Sequence, residues 1–322
     1  RQIWVVDIDG DNHRPLVSGA GNFSSPRWSP SGDRLAYLSN TEGKTQLFVR
    51  WLDGGETAKV TTLPQSPRSI VWAPDGKHIA FTRFVPAPPP MLTDMPAKPK
   101  GAEWAEPATV VDRMTFRFDG GGYLPTGNQQ VFVVPADGGT PRQMTSGDYP
   151  ISGSVSWMPD SQSIIFSSNR REDVEYHPRQ NDLYAASLVT GELTQMTDDA
   201  GPESDPAISP NGRYLAYASA ADTRQGYNRS DLRIMDLASG ESRSLTADLD
   251  RSVSDIQWSA DSKSLWIRYN DLGMARIAEV DLKGGLKQSD IVLGGTALGR
   301  PYTSGTFSVG GKDRIVYTLG RD

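Results

Sequence analysis

The chain has 322 residues, and its 32 glycines and 23 prolines exclude a fold built from long helices, because both residues interrupt helices. Thirty-three Lys and Arg against 39 Asp and Glu give a net charge of −6, so no basic excess is available to bind nucleic acid or an anionic membrane surface. The sequence has no cysteine, and its three histidines are scattered, so we expect no metal and no cofactor. No apolar run approaches the roughly eighteen residues of a membrane span, and the opening RQIWVVDIDG lacks the pattern of a signal peptide.

Two strands joined by a tight turn recur along the chain in six copies. These first hairpins read SPRWSPSGDRLAYLSN from Ser25, SIVWAPDGKHIAFT from Ser69, SVSWMPDSQSIIFSS from Ser154, DPAISPNGRYLAYAS from Asp205, SDIQWSADSKSLWIR from Ser254 and GTFSVGGKDRIVYTL from Gly305. One position anchors each copy: Trp28, Trp72, Trp157, Ile208, Trp258 and Phe307. Because these side chains share one register and are large and apolar, we expect them in the core.

The turns of these hairpins follow from local chemistry. In Ser-Pro-x-Gly, at Ser29–Gly32 and Ser209–Gly212, serine begins a type I turn, proline presets the second φ, and glycine suits the fourth position. A second kind of hairpin alternates with the first and closes on Asp-Gly, Gly-Gly or Ser-Gly. These second hairpins begin at Gln2, Gln46, Gln130, Asp182 and Asp231, with a weaker copy near Met274.

Four antiparallel strands that repeat about every forty to fifty residues, without a helical period, predict an all-β fold. We interpret it as a β-propeller of four-stranded antiparallel blades. The chain holds six blades' worth of strands, which would close a six-bladed ring if the chain ends pair in one blade. The longest interval between anchors, from Trp72 to Trp157, contains a proline-rich insertion at residues 84–129. We therefore expect residues 1–322 to form a single propeller domain.

The first hairpins resemble the PD-type repeats, related to WD-type repeats, of two kinds of protein. One is the propeller of prolyl oligopeptidase family serine peptidases, and the other is the Tol-system periplasmic protein TolB. The stretch VVDRMTFRFDGGGYLPTGNQQVFVVPADGGTPRQMTSGDY, residues 110–149, is similar to the acylaminoacyl-peptidase-like branch of the first family. There an Arg-aromatic-Arg-aromatic-Asp-Gly segment leads into a Gln-aromatic-Val-Val strand. The resemblance therefore favours the peptidase propeller, with TolB as the second choice.

The resemblance implies a seven-bladed propeller and a catalytic α/β-hydrolase domain, which we expect after residue 322 of a longer parent. The chain contains no G-x-S-x-G nucleophile elbow, so none of the family's catalytic residues can be placed on it. By resemblance, the propeller is noncatalytic, covers the active site and restricts access to short peptides. The alternative is a TolB-like propeller that binds proteins without an enzymatic role. The expected partners are the hydrolase domain, short peptides and a second copy of the chain, in a bacterial cytoplasm or periplasm.

The connections between second and third strands identify a candidate surface. Strand direction alternates within a blade, so these connections lie on one face of the disc and the tight turns on the other. They are long at residues 84–129, 170–182 and 220–230, and long loops on a rigid scaffold commonly carry binding residues. The candidate substrate or partner contacts are Trp104, Arg113, Arg117, Tyr123, Arg170, Arg171 and Glu172.

These candidates have structural alternatives. Arginine forks suit peptide carboxylates, but neighbouring acids such as Asp112 and Glu175 allow local ion pairs instead. The proline-rich arm Val85–Pro107 is either a docking arm or a flexible spacer, and Trp104 favours docking because an aromatic in a polar arm usually covers a surface. The acids of Asp7–Asn12 are spaced as in a calcium loop but lack its glycine and final acid, so we interpret them as part of a turn.

Overall fold

The computed structural model describes residues 1–93, 96–105, 108–199, 201–223, 225, 227–295, 304–311 and 314–319. This part of the chain is built from strands and turns without an α-helix, and it contains no helix suited to crossing a membrane. Most strands belong to five four-stranded antiparallel sheets, each of which is one blade.

The strands follow one another in a regular order. The first hairpin is β1 (Ile3–Val5) and β2 (Arg14–Val17). Blade 1 contains β3 (Phe23–Trp28), β4 (Arg34–Ser39), β5 (Gln46–Trp51) and β6 (Thr57–Lys59). Blade 2 contains β7 (Pro67–Trp72), β8 (His78–Pro86), an inserted hairpin of β9 (Arg117–Phe118) and β10 (Gly122–Tyr123), then β11 (Gly127–Pro135) and β12 (Arg142–Gln143). Blade 3 contains β13 (Ile151–Trp157), β14 (Ser163–Ser168), β15 (Asp182–Ser187) and β16 (Leu193–Gln195). Blade 4 contains β17 (Glu203–Ile208), β18 (Tyr214–Ala220), β19 (Ser230–Asp236) and β20 (Ser242–Ser244). Blade 5 contains β21 (Val253–Trp258), β22 (Ser264–Asp271), β23 (Met274–Asp281) and β24 (Leu286–Leu293), and the last hairpin is β25 (Phe307–Gly310) and β26 (Arg314–Tyr317).

The predicted all-β propeller of four-stranded blades is confirmed, but the prediction of six or seven blades is wrong, because the described residues contain five. Each predicted hairpin is present, yet β1–β2 and β25–β26 form two separate two-stranded sheets. The first hairpin packs Ile3 against Phe23 of blade 1. The last one packs Phe307 against Ile277 of blade 5. Each end hairpin thus completes the core of its neighbouring blade rather than sharing a blade with the other.

The inner strand of every blade contains a β-bulge at an equivalent place. Its pairing with the second strand shifts register there. A residue in the left-handed region lies within each shift: Ser25 (φ 53°), Ser69 (φ 50°), Gly153 (φ 69°), Asp205 (φ 53°) and Asp255 (φ 51°). A bulge bends its strand and re-aims the following side chains, and here it precedes the anchoring position.

Apolar side chains fill the seams between successive blades, and indole hydrogen bonds cross three of these seams. The core clusters combine residues of blades 1 and 2, 2 and 3, 3 and 4, and 4 and 5. The indole bonds run from Trp72 Nε1 to Arg27 O (2.9 Å), from Trp157 Nε1 to Val71 O (3.2 Å) and from Trp258 Nε1 to Ala207 O (2.9 Å). Every acceptor directly precedes the anchoring residue of the preceding blade.

The prediction that the anchoring residues are core residues is correct for most blades and wrong for Trp28. Trp72, Trp157 and Phe307 are buried, whereas 52% of Trp28 is exposed. Ile208 and Trp258 are half-buried. The register directs each anchor toward the preceding blade, and at blade 1 that place is a cavity of about 900 Å³ between β3 and β25–β26. Trp28 lines this cavity instead of packing against a neighbouring sheet.

In four blades, a threonine that follows the outer strand is hydrogen-bonded to the third strand. Its hydroxyl accepts a hydrogen bond from a backbone N–H of that strand, and we call this contact the threonine clasp. The pairs are Leu47 N to Thr61 (3.0 Å), Val131 N to Thr145 (2.9 Å), Leu183 N to Thr197 (2.8 Å) and Leu232 N to Thr246 (2.8 Å). All four hydroxyls are buried, so each clasp satisfies a donor that water does not reach.

Candidate functional site

The insertion of blade 2 leaves the sheet through two long strands. β8 and β11 pair along their full lengths, so residues 84–86 and 127–129 belong to the sheet and not to the predicted loop. Gly127 has a φ of 129°, and a Cβ there would lie 2.2 Å from the backbone oxygen of Val85. Only glycine fits at this position, where the chain re-enters the sheet. The loop itself therefore covers residues 87–126.

Hydrogen bonds connect the three predicted loops, which together form what we call the long-loop face (residues 84–129, 170–182 and 220–230). The backbone N–H of Met114 in the insertion donates to Glu175 Oε2 of the second loop at 2.7 Å. Gln180 Nε2 of the second loop donates to Asp222 Oδ2 of the third at 2.9 Å. The face is therefore a continuous surface across blades 2, 3 and 4.

The insertion is also fixed to the segment that links blades 2 and 3. Arg113 Nη2 donates to Asp148 Oδ2 at 2.6 Å, and Asn128 Nδ2 donates to Asp148 Oδ1 at 2.7 Å. Asp148 thus pairs with the guanidinium of Arg113 in the loop and accepts a hydrogen bond from the amide of Asn128 at the start of β11. This pair of contacts orients the arm over blade 2.

Three cavities open on this face. One of about 540 Å³ lies at the root of the insertion, beside Arg113, Asn128 and Asp148. A polar cavity of about 550 Å³ lies between the second and third loops and is lined by Tyr176, His177, Arg179, Gln180, Asp222 and Asn228. An apolar one of about 470 Å³ lies within the insertion, lined by residues such as Met91, Val111, Phe116, Tyr123 and Leu124. Cavities of this size accommodate small molecules or short peptide segments.

Local ion pairing accounts for several of the arginines. The pairs are Arg113 with Asp148 (2.6 Å), Arg171 with Asp173 (2.9 Å) and Arg229 with Asp231 (3.2 Å). Arg113 and Arg171 therefore have acidic partners within the chain. Arg117 is exposed on β9, where it pairs across the hairpin with Tyr123, and Glu172 is exposed in the second loop. Arg224 in the third loop lies outside the described residues.

Arg170 has an environment unlike that of the other candidate arginines. Its guanidinium carbon lies 4.4 Å from the ring centre of Tyr149 and 5.7 Å from that of Tyr184. Its Nη1 is buried and has no hydrogen-bond partner in the described part of the chain. Burial lowers the pKa of Arg170 from its ordinary value, against opposing contributions from Tyr184 and Tyr149. Two tyrosines thus hold a partly desolvated cation at the edge of the long-loop face.

Aromatic and apolar side chains are exposed along the insertion. Tyr123 is 62% exposed and Trp104 41% exposed. The ring centre of Phe116 lies 6.2 Å from that of Tyr123. Other exposed apolar residues of the insertion are Met91, Leu92, Val111, Met114, Phe118 and Leu124. Exposed apolar groups clustered on one segment are typical of a surface that contacts another molecule.

Buried carboxyl groups lie beneath the second loop, where blade 3 meets blade 4. Glu203 is fully buried, accepts a hydrogen bond from the Thr197 hydroxyl, and donates its backbone N–H to Asn181 O at 2.9 Å. Burial raises the pKa of Glu203 to about 8, opposed by the Thr197 hydrogen bond and assisted by Asp199 and Asp182. Burial and the neighbouring Asp198 likewise raise the pKa of Asp182 to about 6.

The structure brings only some of the predicted residues together. Arg113 joins the second loop through the neighbouring Met114, whereas Trp104, Arg117 and Tyr123 lie farther out on the insertion. Tyr149, Tyr184, Asp148 and Glu203 were not among the predicted residues. Tyr149 and Asp148 are in the Ser-Gly-Asp-Tyr end of the stretch that carries the family resemblance, which is the one signal that could have identified them.

Known peptidases are similar to this chain in sequence. Residues 104–223 match the family model of the dipeptidyl peptidase IV N-terminal region. Dipeptidyl-peptidase 5 of Porphyromonas gingivalis is 26% identical over 306 residues, which cover 88% of this chain and 42% of that protein. The chain therefore spans less than half the length of this curated relative.

Solved structures share the fold at low identity. An acylaminoacyl peptidase of Pyrococcus horikoshii matches with a TM-score of 0.64 and 17% identity, over 89% of this chain and 41% of that one. A putative TolB of Agrobacterium tumefaciens matches with a TM-score of 0.57 and 20% identity, over 89% of this chain and 87% of that one. The predicted resemblance to the propeller of prolyl oligopeptidase family peptidases is thus confirmed.

Proposed function

We propose, on the premise that this chain is a propeller of the kind found in dipeptidyl-peptidase and acylaminoacyl-peptidase-like enzymes, that it is the noncatalytic cover of a longer peptidase. In this proposal the parent continues after residue 322 into an α/β-hydrolase domain, which supplies the nucleophile. The propeller covers that active site and restricts access to short peptides. Its own residues orient and admit substrate and form no covalent bond with it.

One observation carries the proposal, namely the connection of three long loops into one face. The hydrogen bonds from Met114 to Glu175 and from Gln180 to Asp222 join blades 2, 3 and 4 over a single surface. The opposite face carries short turns such as Ser29–Gly32 and Ser209–Gly212. A cover must exclude large substrates, and a continuous set of loops does so better than separate turns.

The chemistry of this face suits a neighbouring domain and a peptide together. The exposed Trp104 and Tyr123 offer apolar area for docking. Arg117, Arg170 and Glu172 offer charges for a peptide or for the docked domain, which Arg113 and Arg171 could join only by exchanging their partners Asp148 and Asp173. The cavity of about 550 Å³ between the second and third loops is of the size of a short peptide segment.

The test is the size selectivity of the parent enzyme. Glu175→Ala removes the acceptor that holds the insertion to the second loop. We expect kcat/KM for an unstructured polypeptide to rise relative to kcat/KM for a dipeptide substrate. The matched control is Glu56→Ala, because Glu56 is exposed in the turn between β5 and β6 on the opposite face. An unchanged ratio in a folded Glu175→Ala enzyme would contradict the covering role.

The second candidate is a TolB-like propeller that binds proteins without catalysis. The TolB structure matches over 87% of its own length, but at 20% identity this likeness concerns the fold alone. A fluorophosphonate probe separates the candidates. The parent of a peptidase propeller is labelled at a serine outside residues 1–322, whereas the isolated chain is not labelled. A parent that takes no label would support the protein-binding role.

A further inference from the structure

Arg170 is a cation that forms no ion pair within the described residues. The pKa of Arg170 is lowered by burial and raised by the phenols of Tyr184 and Tyr149, and no carboxylate contributes to this shift. Within the described residues its Nη1 has no acceptor. Burying part of a guanidinium without an acid is unfavourable, so an anion that bonds to the accessible N–H donors of Arg170 from outside would stabilise it.

Arg213 is also an arginine stacked on a tyrosine, but its charge is paired with an acid of the protein. Its guanidinium also stacks on a tyrosine, 4.8 Å from the ring centre of Tyr214. Unlike Arg170, it donates through Nε to Asp236 at 3.1 Å. The two sites share the aromatic support and differ in the acid. Arg213 also belongs to the opposite face, directly after the turn Ser209–Gly212.

The geometry around Arg170 is preorganised for a planar anion. Two aromatic rings lie 4.4 and 5.7 Å from the guanidinium carbon and limit its movement, so less side-chain entropy is lost when a ligand binds. A guanidinium presents paired N–H donors that match the two oxygens of a carboxylate. Phosphate would also pair with it, but the adjacent Arg171 is already paired with Asp173 at 2.9 Å, so a single guanidinium faces the ligand and a carboxylate is the better match.

We propose that Arg170 is a recognition site for a peptide carboxylate, held in place by Tyr149 and Tyr184. The carboxylate is either the C-terminal group of a short peptide or an acidic side chain within it. The proposal rests on the proposed function only for the expectation that the ligand is a peptide. The enzyme would accordingly prefer short peptides that place a negative charge next to the second loop.

The binding test uses the 322-residue chain with ¹³C-labelled tyrosine and follows the ring signals of Tyr149 and Tyr184 by NMR. The probes are N-acetyl-Ala-Ala-Ala as the free acid, the same peptide as the C-terminal amide, and N-acetyl-Ala-Asp-Ala amide. We expect the free acid or the aspartyl peptide to shift both rings, whereas the neutral amide leaves them unchanged. The stronger of the two charged probes identifies the source of the carboxylate.

Arg170→Gln should weaken binding of the charged probe by about ten- to a hundredfold, as expected for the loss of charge-assisted hydrogen bonds. Arg170→Lys retains the charge but loses the planar fork, and should weaken it by a smaller factor. The matched control Arg213→Gln removes a stacked arginine from the other face and should leave binding unchanged.

Equal shifts from the acid and the amide in the unaltered chain would overturn the proposal, whatever the variants do. Unchanged affinity in Arg170→Gln would do the same. Because no catalytic domain takes part, these outcomes are independent of the size-selectivity test. A chain that fails to bind carboxylates can still be a cover, and a chain that binds them can still fail to exclude polypeptides.

Discussion

Trp28 and Trp72 occupy the same position of successive blades, yet their surroundings differ. Trp72 is 7% exposed, and its indole N–H is bonded to the carbonyl of Arg27 in blade 1. Arg34 lies over the Trp72 ring at 5.0 Å. Trp28 is 52% exposed beside a cavity. The same position in a blade is therefore buried only where another blade packs against it. Trp72 packs against blade 1, whereas no four-stranded blade precedes Trp28, so we expect the two side chains to contribute differently to stability.

Trp72→Ala should lower the free energy of unfolding by about 3 to 5 kcal/mol, because it leaves a cavity between blades 1 and 2. Trp28→Ala removes the same side chain from an exposed site and should cost less than about 1 kcal/mol. Urea unfolding followed by circular dichroism measures both. Equal losses for the two variants would show that the seam between blades does not set the cost.

Glu203 makes stability depend on pH. Burial raises its pKa to about 8 from an ordinary value of 4.5. Between these values the folded chain keeps a proton that the unfolded chain releases, so the free energy of unfolding falls as pH rises through this window. The full loss, on the order of a few kcal/mol, is reached above pH 8.

Glu203→Gln has no proton to release and should flatten this dependence between pH 5 and pH 9. A smaller decline with the same sign remains, because the pKa of Asp182 is also raised. Urea unfolding at both pH values provides the measurement, with the exposed Glu192→Gln as the control. The assignment is wrong if Glu203→Gln loses as much stability between pH 5 and pH 9 as the unaltered chain.

At the scale of elements, the sequence predicted the hairpins, but it did not predict which residues of different loops form contacts. The turn at Ser29–Gly32 closes through a local bond from Gly32 N to Ser29 O, so nearby residues determine it. The bond from Met114 to Glu175 joins residues 61 positions apart, and no local pattern encodes it. The stacking of Arg170 on Tyr149 and Tyr184 depends in the same way on residues that are distant in sequence and meet only when blade 3 is folded. For this reason the sequence predicted which loops share a face but not the site within it.

The threonine clasp connects the third strand of a blade to the segment after its outer strand, and it requires a hydroxyl that both accepts and donates a hydrogen bond. Thr145 accepts from Val131 N at 2.9 Å and donates to Gln130 Oε1 at 2.6 Å, within a buried environment. Thr145→Val has nearly the same shape but leaves the Val131 N–H without a partner, and should cost about 1 to 3 kcal/mol.

Thr145→Ser keeps the hydroxyl and should retain most of the stability. Thermal and urea unfolding of both variants measure the difference. If Thr145→Val is as stable as the unaltered chain, the clasp has no stabilising role; if serine is as damaging as valine, the methyl group contributes as much as the hydroxyl.

At the scale of the whole molecule, the two faces of the disc have different compositions. The long-loop face carries basic residues such as Arg117 and Arg170 and acidic residues such as Glu172 and Asp173 in similar numbers, together with exposed aromatic groups. The opposite face consists mainly of short turns. A docking domain would therefore meet a distinct surface on only one side.

Hydrogen exchange on the longer parent and on the isolated chain should locate this docking. We expect amides of residues 84–129 and 170–182 to exchange more slowly in the parent, because a docked domain excludes water from them. Amides of the turns near Asp53, Asp75 and Asp137 should exchange equally in both. Slower exchange confined to those turns would place the partner on the other side.

The indole bonds described above also have a mechanical consequence. They cross the seams between blades 1 and 2, 2 and 3, and 4 and 5, but Ile208 occupies the anchoring place of blade 4 and can donate no side-chain hydrogen bond. The seam between blades 3 and 4 is held instead by hydrogen bonds from Ser167 Oγ to Glu203 O at 2.6 Å and from Glu203 N to Asn181 O at 2.9 Å. The seam between blades 4 and 5 relies on the indole of Trp258, so under tension between the two chain ends Trp258→Phe should weaken it. Force spectroscopy would then record the separation of blades 4 and 5 at a lower force than in the unaltered chain.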